Sequence, residues 1–270
     1  MAPGLAAQAR VGDAARLRER ERAENFPVAL RVLPARYREP LHAAYALARR
    51  IDDVGDDPTR SALDRLDDLD RLEAELRARP PGLPLEPFLD LLAANRYDQT
   101  LTRISSYDEL LGYCRLSANP VGRVVLHVFG ADRDDTRALS DDVCTALQIL
   151  EHCQDVGEDL RERDRIYLPA EDLDHYGVTE SQLSAATASR ELRRLVAAEV
   201  DRAATLLDSG GSLVRRLTGW GRIAVAGYVA GGRATVDALR RCDFDVLAVA
   251  ATPRRRDVAR HAMVLLAVRR

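Results

Sequence analysis

The amino-acid sequence predicts an all-α protein, and three observations support this fold class. Ala, Leu, Arg, Asp and Glu dominate the 270 residues, a composition typical of helix-rich chains. Apolar residues recur at helical spacing along most of the chain, and no segment alternates apolar and polar residues as a half-buried strand does. Aromatic residues contribute only 5%, and the scattered Gly and Pro residues disfavour a fold with many tight turns.

The chain reads as one domain rather than several. Its length and its 46% hydrophobic content allow a substantial buried core. We find no internal repeat and no linker long enough to separate two domains. We therefore expect a charged N-terminal segment at residues 1–24, followed by a single all-α domain at residues 25–270.

In the first half of the chain, proline marks the expected helix boundaries. Residues 30–51 have the pattern of one or two helices, with Pro34 at a start or a break. The dipeptide at 57–58, Asp-Pro, ends this region because the residue before a proline avoids helical geometry. A charged amphipathic helix is predicted at residues 61–79, and the prolines at 80–87 form the next connection.

In the second half, capping signals mark the expected boundaries. Residues 106–109 and 179–182 each resemble a capping box that opens a helix. Residues 118–122 contain Asn-Pro and should interrupt the helix that begins near residue 107. Ser-Asp-Asp at residues 140–142 is predicted to cap another helix, and Pro253 to start the last one.

Composition also excludes several functional classes. The formal net charge of −3 gives no basic footprint for nucleic acid, although all 40 basic residues are Arg. The four cysteines form no C-x-x-C pair, which favours reduced thiols over a zinc site or a disulfide framework. The N-terminus lacks a signal-peptide pattern, and no uninterrupted apolar run reaches the ~18 residues of a spanning helix. We expect a cytoplasmic protein.

A first polar stripe lies in the segment YALARRIDDVGD at residues 45–56. Tyr45, Arg49, Asp52 and Asp56 follow four-three-four spacing, so a helix places all four on one face. Carboxylates at this spacing repel each other and destabilise an isolated helix. A divalent cation would offset that repulsion.

A second polar stripe follows about a hundred residues later, in QILEHCQDVGED at residues 148–159. Gln148, Glu151, Asp155 and Asp159 again share one helix face, and their neighbours are mainly apolar. Polar groups in apolar surroundings favour a lined cavity over an open surface. Carboxylate and amide oxygens are hard ligands that suit Mg²⁺, which commonly bridges a few carboxylates and substrate phosphates. The two stripes therefore predict a Mg²⁺ and diphosphate site.

The alternative interpretation is that both stripes are solvated acidic helix faces, since the chain has 43 acidic residues. Other acidic clusters fit that interpretation. Residues 64–70 alternate acids with arginines on a charged helix and are expected at the surface. The aspartates at 132–135 are expected in a turn. The two stripes differ from these clusters because apolar residues surround them.

Over roughly residues 25–244, the chain resembles the squalene and phytoene synthase family of isoprenoid diphosphate enzymes. Four segments carry the resemblance in the family's order: YALARRIDDVGD at 45–56, YCRLSANPVG at 113–122, QILEHCQDVGED at 148–159 and RIYLP at 165–169. The resemblance implies an all-α isoprenoid synthase fold around a central cavity and dependence on Mg²⁺.

The resemblance also implies roles for individual residues. The expected metal and diphosphate ligands are carboxylates, and the expected substrate contacts are aromatic, amide and arginine side chains. The implied metal and diphosphate ligands are Asp52, Asp56, Asp155 and Asp159, with Glu151 as an additional metal carboxylate. The implied substrate contacts are Tyr113 near the reacting carbons, Arg49 and Arg165 on phosphate, Tyr45 and Gln148 lining the site, and Phe26 and Phe244 on the hydrocarbon.

Within the family, residues 24–28 and 113–122 are most similar to the bacterial hydroxysqualene synthase branch. That branch converts presqualene diphosphate into hydroxysqualene in squalene and hopanoid biosynthesis. Two departures from family members that condense substrates are Glu151, where many have Asn, and Arg115, where a neutral residue is frequent.

Two alternatives stay open at this level. The first is head-to-head condensation of two farnesyl or geranylgeranyl diphosphates to presqualene diphosphate, dehydrosqualene or phytoene. The second is a non-catalytic helical binding partner. The apolar substrate and the arginine-led terminal helix also leave open a peripheral contact with the inner face of the membrane. The sequence does not determine the oligomeric state.

Overall fold

Helices make up almost all of the regular structure in the computed structural model, which describes residues 33–80 and 82–267. Within those ranges the β structure is limited to one isolated parallel bridge between Arg103 and Ile166. The expected all-α fold class is confirmed. The helices are α1 (Ala35–Gly55), α2 (Ala62–Ala78), α3 (Glu86–Tyr97), α4 (Tyr107–Ser117), α5 (Asn119–Val128), α6 (Asp134–Gln154), α7 (Val156–Arg163), α8 (Ala170–Tyr176), α9 (Glu180–Leu183), α10 (Arg190–Gly210), α11 (Leu213–Arg216), α12 (Gly219–Arg241) and α13 (Arg255–Ala267).

Several boundaries fall where the capping and proline signals predict them. Pro34 immediately precedes α1, and Ser61 caps α2 by accepting a hydrogen bond from the Asp64 N–H at 3.2 Å. Thr179 forms the predicted capping box with Gln182 at the start of α9. The helix is interrupted at Ala118, between α4 and α5, where the Asn-Pro pair predicts an interruption. The expected boundary between residues 24 and 25 lies outside the described residues and stays a prediction.

The prediction that Ser140 begins a helix is wrong, because α6 already begins at Asp134. The capping group is Thr136, whose hydroxyl accepts a hydrogen bond from the Arg133 N–H at 3.1 Å. Asp134 and Asp135 belong to the first helical turn rather than to a loop, where their negative charge meets the positive end of the helix dipole.

The second polar stripe is carried by two helices instead of one. α6 ends at Gln154 and α7 begins at Val156, with Asp155 between them at φ −100° and ψ 6°. α6 packs into the main core through Val143, Ala146, Ile149 and Leu150. The short α7 is followed by Asp164, which has a left-handed conformation with φ 52°. The stripe therefore has one half on a long helix of the main core and the other on a separate short helix.

Two packed clusters surround the space between the stripes. The larger core joins α6, α10 and α12 and contains most of the buried aliphatic residues. A smaller core joins α1, α2 and α3 through Ile51, Leu72, Phe88 and Leu92. Among the described residues no helix is both long enough and apolar enough to cross a membrane. Peripheral membrane contact stays a prediction, which co-sedimentation with lipid vesicles would test.

Helices α1 and α3 approach each other closely at Gly55. A Cβ atom added there would lie 2.0 Å from Oδ1 of Asn95. The backbone oxygen of Gly55 also accepts a hydrogen bond from Nε2 of Gln99 at 3.0 Å. Glycine at this buried position lets α3 approach closely enough for Asn95 to reach Asp52 on the preceding turn of α1.

We predict that Gly55→Ala lowers the free energy of unfolding by about 1–3 kcal/mol, because the new methyl group displaces Asn95 and separates the helices. Gly112→Ala is the matched control: Gly112 lies within α4, with no atom within 4 Å of an added Cβ. It should leave stability unchanged or raise it by about 0.5–1 kcal/mol, as Ala usually does in a helix. Urea denaturation measures both, and equal effects at the two positions would contradict the packing argument.

Candidate active site

Both predicted stripes face one cavity of about 510 Å³ between the two packed clusters. Every member of the first stripe and every member of the second lines it, so the central geometric expectation from the sequence is met. Tyr113 and Arg165 line it as well. The lining residues that contribute charge or hydrogen bonds are Tyr45, Arg49, Asp52, Asp56, Asn95, Asp98, Tyr113, Ser117, Gln148, Glu151, His152, Asp155, Glu158, Asp159, Arg163, Arg165 and Tyr167.

In the first stripe, Asp52 is the most buried carboxylate. Nδ2 of Asn95 donates a hydrogen bond to its Oδ1 at 3.2 Å. Burial raises the pKa of Asp52 to about 6, although this hydrogen bond and the nearby Arg49 both favour the ionised form. Asp56, one turn later, is more exposed, and its Oδ1 lies 3.6 Å from a guanidinium nitrogen of Arg165.

In the second stripe, Asp159 is the buried carboxylate. Burial raises its pKa to about 6 despite a hydrogen bond of 3.2 Å from Arg163. Burial also raises the pKa of Asp155. Glu151 is exposed at the cavity edge, and Gln148 lies deeper, with its Nε2 3.2 Å from Nε2 of His152.

Arg165 connects the two stripes. Its backbone N–H donates a hydrogen bond to the backbone oxygen of Asp159 at 3.2 Å. The following residue, Ile166, forms backbone hydrogen bonds with residues 102–104. The guanidinium group donates to the backbone oxygen of Asp98 at 2.8 Å. These contacts hold a mostly buried arginine between the acidic groups, where it can form charge-assisted hydrogen bonds with a phosphate.

The donor set suits Mg²⁺ that binds together with a diphosphate. Among the described residues, no three Asp, Glu, His or Cys side chains lie close enough to hold a metal ion by themselves. Mg²⁺ does not require such a cage, because it usually takes one or two carboxylates and completes its octahedron with water and phosphate oxygens. The carboxylates at the two sides of this cavity, several of them with raised pKa values, supply that kind of partial site.

An aromatic wall continues the cavity beyond the charged groups. The rings of Tyr113 and Tyr167 are 5.2 Å apart between centroids, and His152 stacks on Tyr167 at 4.0 Å with an interplanar angle of 15°. Both tyrosine hydroxyls donate hydrogen bonds to Asp98. Burial lowers the pKa of His152 to about 3, so the imidazole is neutral near pH 7.

The rest of the lining is apolar. The side chains that form it come from α1, α3 and α5, on the side of the smaller core. They are Leu41, Ala44, Ala48, Phe88, Leu91, Ala94, Val121, Val124 and Val125. The cavity thus has a charged end suited to diphosphate and an apolar body suited to hydrocarbon.

The two expected hydrocarbon contacts are Phe26 and Phe244. Phe26 lies outside the described residues. Phe244 does not line the cavity; it follows the end of α12 in a left-handed turn with φ 55° and packs against the main core. The sequence position alone did not reveal this, because the turn after residue 241 directs the ring toward the core.

Sequence reasoning did not select Asn95 and Asp98, although both line the cavity. They lie at the C-terminal end of α3, three residues apart, and Asp98 is its C-cap. In the sequence they form no acidic pair and no stripe. Their role depends on the close approach of α3 to α1, which only the tertiary structure shows.

Comparison with known proteins agrees with the fold and identifies the family. A family model for squalene/phytoene synthase matches residues 20–261. Hydroxysqualene synthase of Sinorhizobium fredii is 36% identical over 211 residues, which cover 73% of this chain and 72% of that protein.

Two solved structures are similar in fold. Squalene synthase HpnC from Alicyclobacillus acidocaldarius superposes with a TM-score of 0.76 at 37% identity, over 87% of this chain and 95% of the other. A dehydrosqualene synthase in complex with ligand gives a TM-score of 0.79 at 22% identity, over 96% and 97%, and supports the fold alone. With the motifs of both acidic stripes on one cavity, the chain belongs to the squalene/phytoene synthase family.

Proposed function

We propose that this protein is a Mg²⁺-dependent hydroxysqualene synthase, which releases diphosphate from presqualene diphosphate and adds water to the rearranged cation. The observation that carries the proposal is the convergence of two acidic stripes on the charged end of a cavity whose body is apolar and aromatic. Similarity to hydroxysqualene synthases over most of the chain supports the choice of branch.

The residues of the charged end would divide the work of binding diphosphate. Mg²⁺ held by Asp52, Asp56, Asp155 and Asp159, with Glu151 at the edge, would supply positive charge to the leaving diphosphate. Arg49 and Arg165 donate charge-assisted hydrogen bonds to phosphate oxygens. Asn95 donates a hydrogen bond to Oδ1 of Asp52 and so restrains the orientation of this carboxylate.

The aromatic and apolar walls protect the cation that remains after diphosphate leaves. Aliphatic side chains exclude water from most of the cavity, and the ring faces of Tyr113 and Tyr167 attract positive charge. Neutral His152 adds no positive charge that would oppose the cation. A buried environment of this kind makes the interactions stronger than they would be in water.

The two departures from condensing family members differ in their relation to the site. Glu151 lines the cavity, so an acid there adds negative charge beside the metal ligands. Arg115 is exposed on α4, where its Nε donates to the backbone oxygen of Leu111, and it does not line the cavity. Of the two, Glu151 is the residue that can influence the choice of reaction directly.

The deciding experiment incubates the purified protein and Mg²⁺ with presqualene diphosphate or with farnesyl diphosphate, without a nicotinamide. We expect hydroxysqualene and free diphosphate from presqualene diphosphate, identified by mass spectrometry. Formation of presqualene diphosphate or dehydrosqualene from farnesyl diphosphate would instead support head-to-head condensation. Binding of either substrate without any diphosphate release would support a non-catalytic partner.

We predict that Asp52→Asn and Asp155→Asn each lower diphosphate release about 100-fold or more at saturating Mg²⁺, since each removes a charge aimed at the leaving group. Both variants should remain folded, because each replaces a partly or largely buried charge with a neutral amide. Asp68→Asn is the control: Asp68 pairs with Arg60 and Arg71 on the surface and should have normal activity. Near-normal release by both site variants would exclude the two-stripe metal site.

We also predict that Mg²⁺ with inorganic diphosphate raises the melting temperature more at pH 7.5 than at pH 5. The folded-state pKa values of Asp52 and Asp159, about 6, exceed the unfolded value of about 3.9, so the metal-free protein loses stability as the pH rises from about 4 through 6. Mg²⁺ binds the ionised carboxylates and offsets this loss above pH 6.

Differential scanning fluorimetry measures the shift, and Asp52→Asn is the comparison. The variant should lose the part of the pH-dependent shift that comes from Asp52 and keep the part that comes from Asp159. An equal Mg²⁺ effect at the two pH values in the native protein would show that these carboxylates do not bind the metal.

A further inference from the structure

Asp98 is a carboxylate of the cavity that belongs to neither acidic stripe. It caps the C-terminal end of α3, and its side chain is 12% exposed. Its Oδ2 accepts a hydrogen bond from the Tyr113 hydroxyl at 3.0 Å, and its Oδ1 accepts one from the Tyr167 hydroxyl at 3.3 Å. One carboxylate thus accepts hydrogen bonds from both tyrosine hydroxyls on the aromatic wall.

This arrangement determines what the two tyrosines can offer to a ligand. A phenol hydroxyl has one proton to donate and lone pairs that accept. With both protons directed to Asp98, the phenol oxygens of Tyr113 and Tyr167, which also contact each other, are left as acceptors at the cavity. A water molecule beside Tyr113 would therefore donate a proton to the phenol oxygen and direct its own lone pairs away from the ring.

Arg165 keeps Asp98 in place and ionised. A guanidinium nitrogen lies 3.9 Å from Oδ2 of Asp98, and another donates to the backbone oxygen of Asp98 at 2.8 Å. Burial nevertheless raises the pKa of Asp98 to about 6, so the carboxylate accepts a proton more readily than an exposed one does.

The geometry points to Asp98 as the positioning residue that, through Tyr113, orients the water molecule that captures the cation and receives its proton. This inference rests on the proposed function. As the carbon–oxygen bond forms, one O–H bond of the water breaks and its proton passes to the oxygen of Tyr113. The proton of Tyr113 passes at the same time to Oδ2 of Asp98. The products are an alcohol and a protonated carboxyl group, and the charge of the cation is neutralised.

Other polar groups of the cavity are less suited to this step. His152 is fully buried, its lowered pKa makes it a weak base, and its Nε2 already lies beside Gln148. The stripe carboxylates face the diphosphate end. The hydroxyl of Ser117 also lines the cavity, but among the described residues it has no hydrogen-bond partner to which it could pass on a proton. The Asp98–Tyr113 pair combines a carboxylate, an acceptor oxygen and a position on the aromatic wall where a cation is stabilised.

The test measures products rather than rate alone. Presqualene diphosphate and Mg²⁺ are incubated with native protein and with Asp98→Asn, and hydroxysqualene is quantified against released diphosphate. We expect the hydroxylated fraction to fall at least about tenfold in Asp98→Asn, with olefins formed by proton loss in its place, while diphosphate release falls less. An amide cannot take the proton, and its NH₂ group turns one tyrosine into a donor toward the cavity.

Two neighbouring residues provide matched controls. Tyr97 lies 6.2 Å from Tyr113 between ring centroids but donates its hydroxyl to Glu109, so Tyr97→Phe should keep the native product ratio. Asp90→Asn removes a partly buried acid that pairs with Arg123 away from the cavity, and it should also keep that ratio. Tyr113→Phe retains the ring and removes the relay oxygen, so it should reproduce the loss of alcohol even if Asp98→Asn does not fold.

The outcomes separate this inference from the proposed function. Native protein that makes hydroxysqualene, together with an unchanged hydroxylated fraction in Asp98→Asn or in Tyr113→Phe, would overturn the role of Asp98 and leave the enzyme assignment intact. Native protein that releases no diphosphate from presqualene diphosphate would overturn both. A selective loss of alcohol in both variants, with normal ratios in the two controls, supports the relay.

Discussion

The structure depends on keeping several carboxylates of like charge close together in a largely buried cavity. Each of Asp52, Asp98 and Asp159 has a pKa raised to about 6 by burial, so each ionised group costs folding free energy. The fold supplies partial compensation from fixed partners: Asn95 for Asp52, Arg165 for Asp98 and Arg163 for Asp159. A bound cation beside Asp52 and Asp159 would stabilise their ionised forms further, and this is the physical basis of the proposed metal–diphosphate site.

Other parts of the architecture are consequences of that requirement. Gly55 allows α3 to approach α1 closely, and this contact brings Asn95 and Asp98 to the cavity. The parallel bridge between Arg103 and Ile166 holds the segment that carries Arg165. The apolar side chains of α1, α3 and α5 separate the charged end from the region in which a hydrocarbon cation can survive. The proposed diphosphate binding, cation protection and water capture would thus occupy separate parts of one cavity.

Sequence patterns predicted the features that depend on local periodicity. Helical spacing within continuous sequence segments predicts the two stripes, and their apolar neighbours predict that the stripes line a cavity. Features that depend on contacts between distant segments were not accessible in the same way. Asp98 has a role only because Tyr113 and Tyr167 meet it from other parts of the chain, and Phe244 was assigned to the substrate site although its turn directs it to the core. The Ser-Asp-Asp sequence at 140–142 predicts a helix start, whereas α6 begins at Asp134, where Thr136 is the capping residue.

The break at Asp155 means that a single helical repeat does not fix the spacing of the second stripe. An unbroken helix would fix the distance along its axis from Glu151 to Asp159 at about 12 Å. Here Glu151 belongs to the long helix α6, whereas Asp159 belongs to the eight-residue helix α7, which is followed by a left-handed residue. α7 packs against the main core through Val156 and Leu160, so its own packing sets where Asp159 lies relative to Glu151. Substitutions in the contacts of α7 can therefore change the spacing of these carboxylates without altering α6.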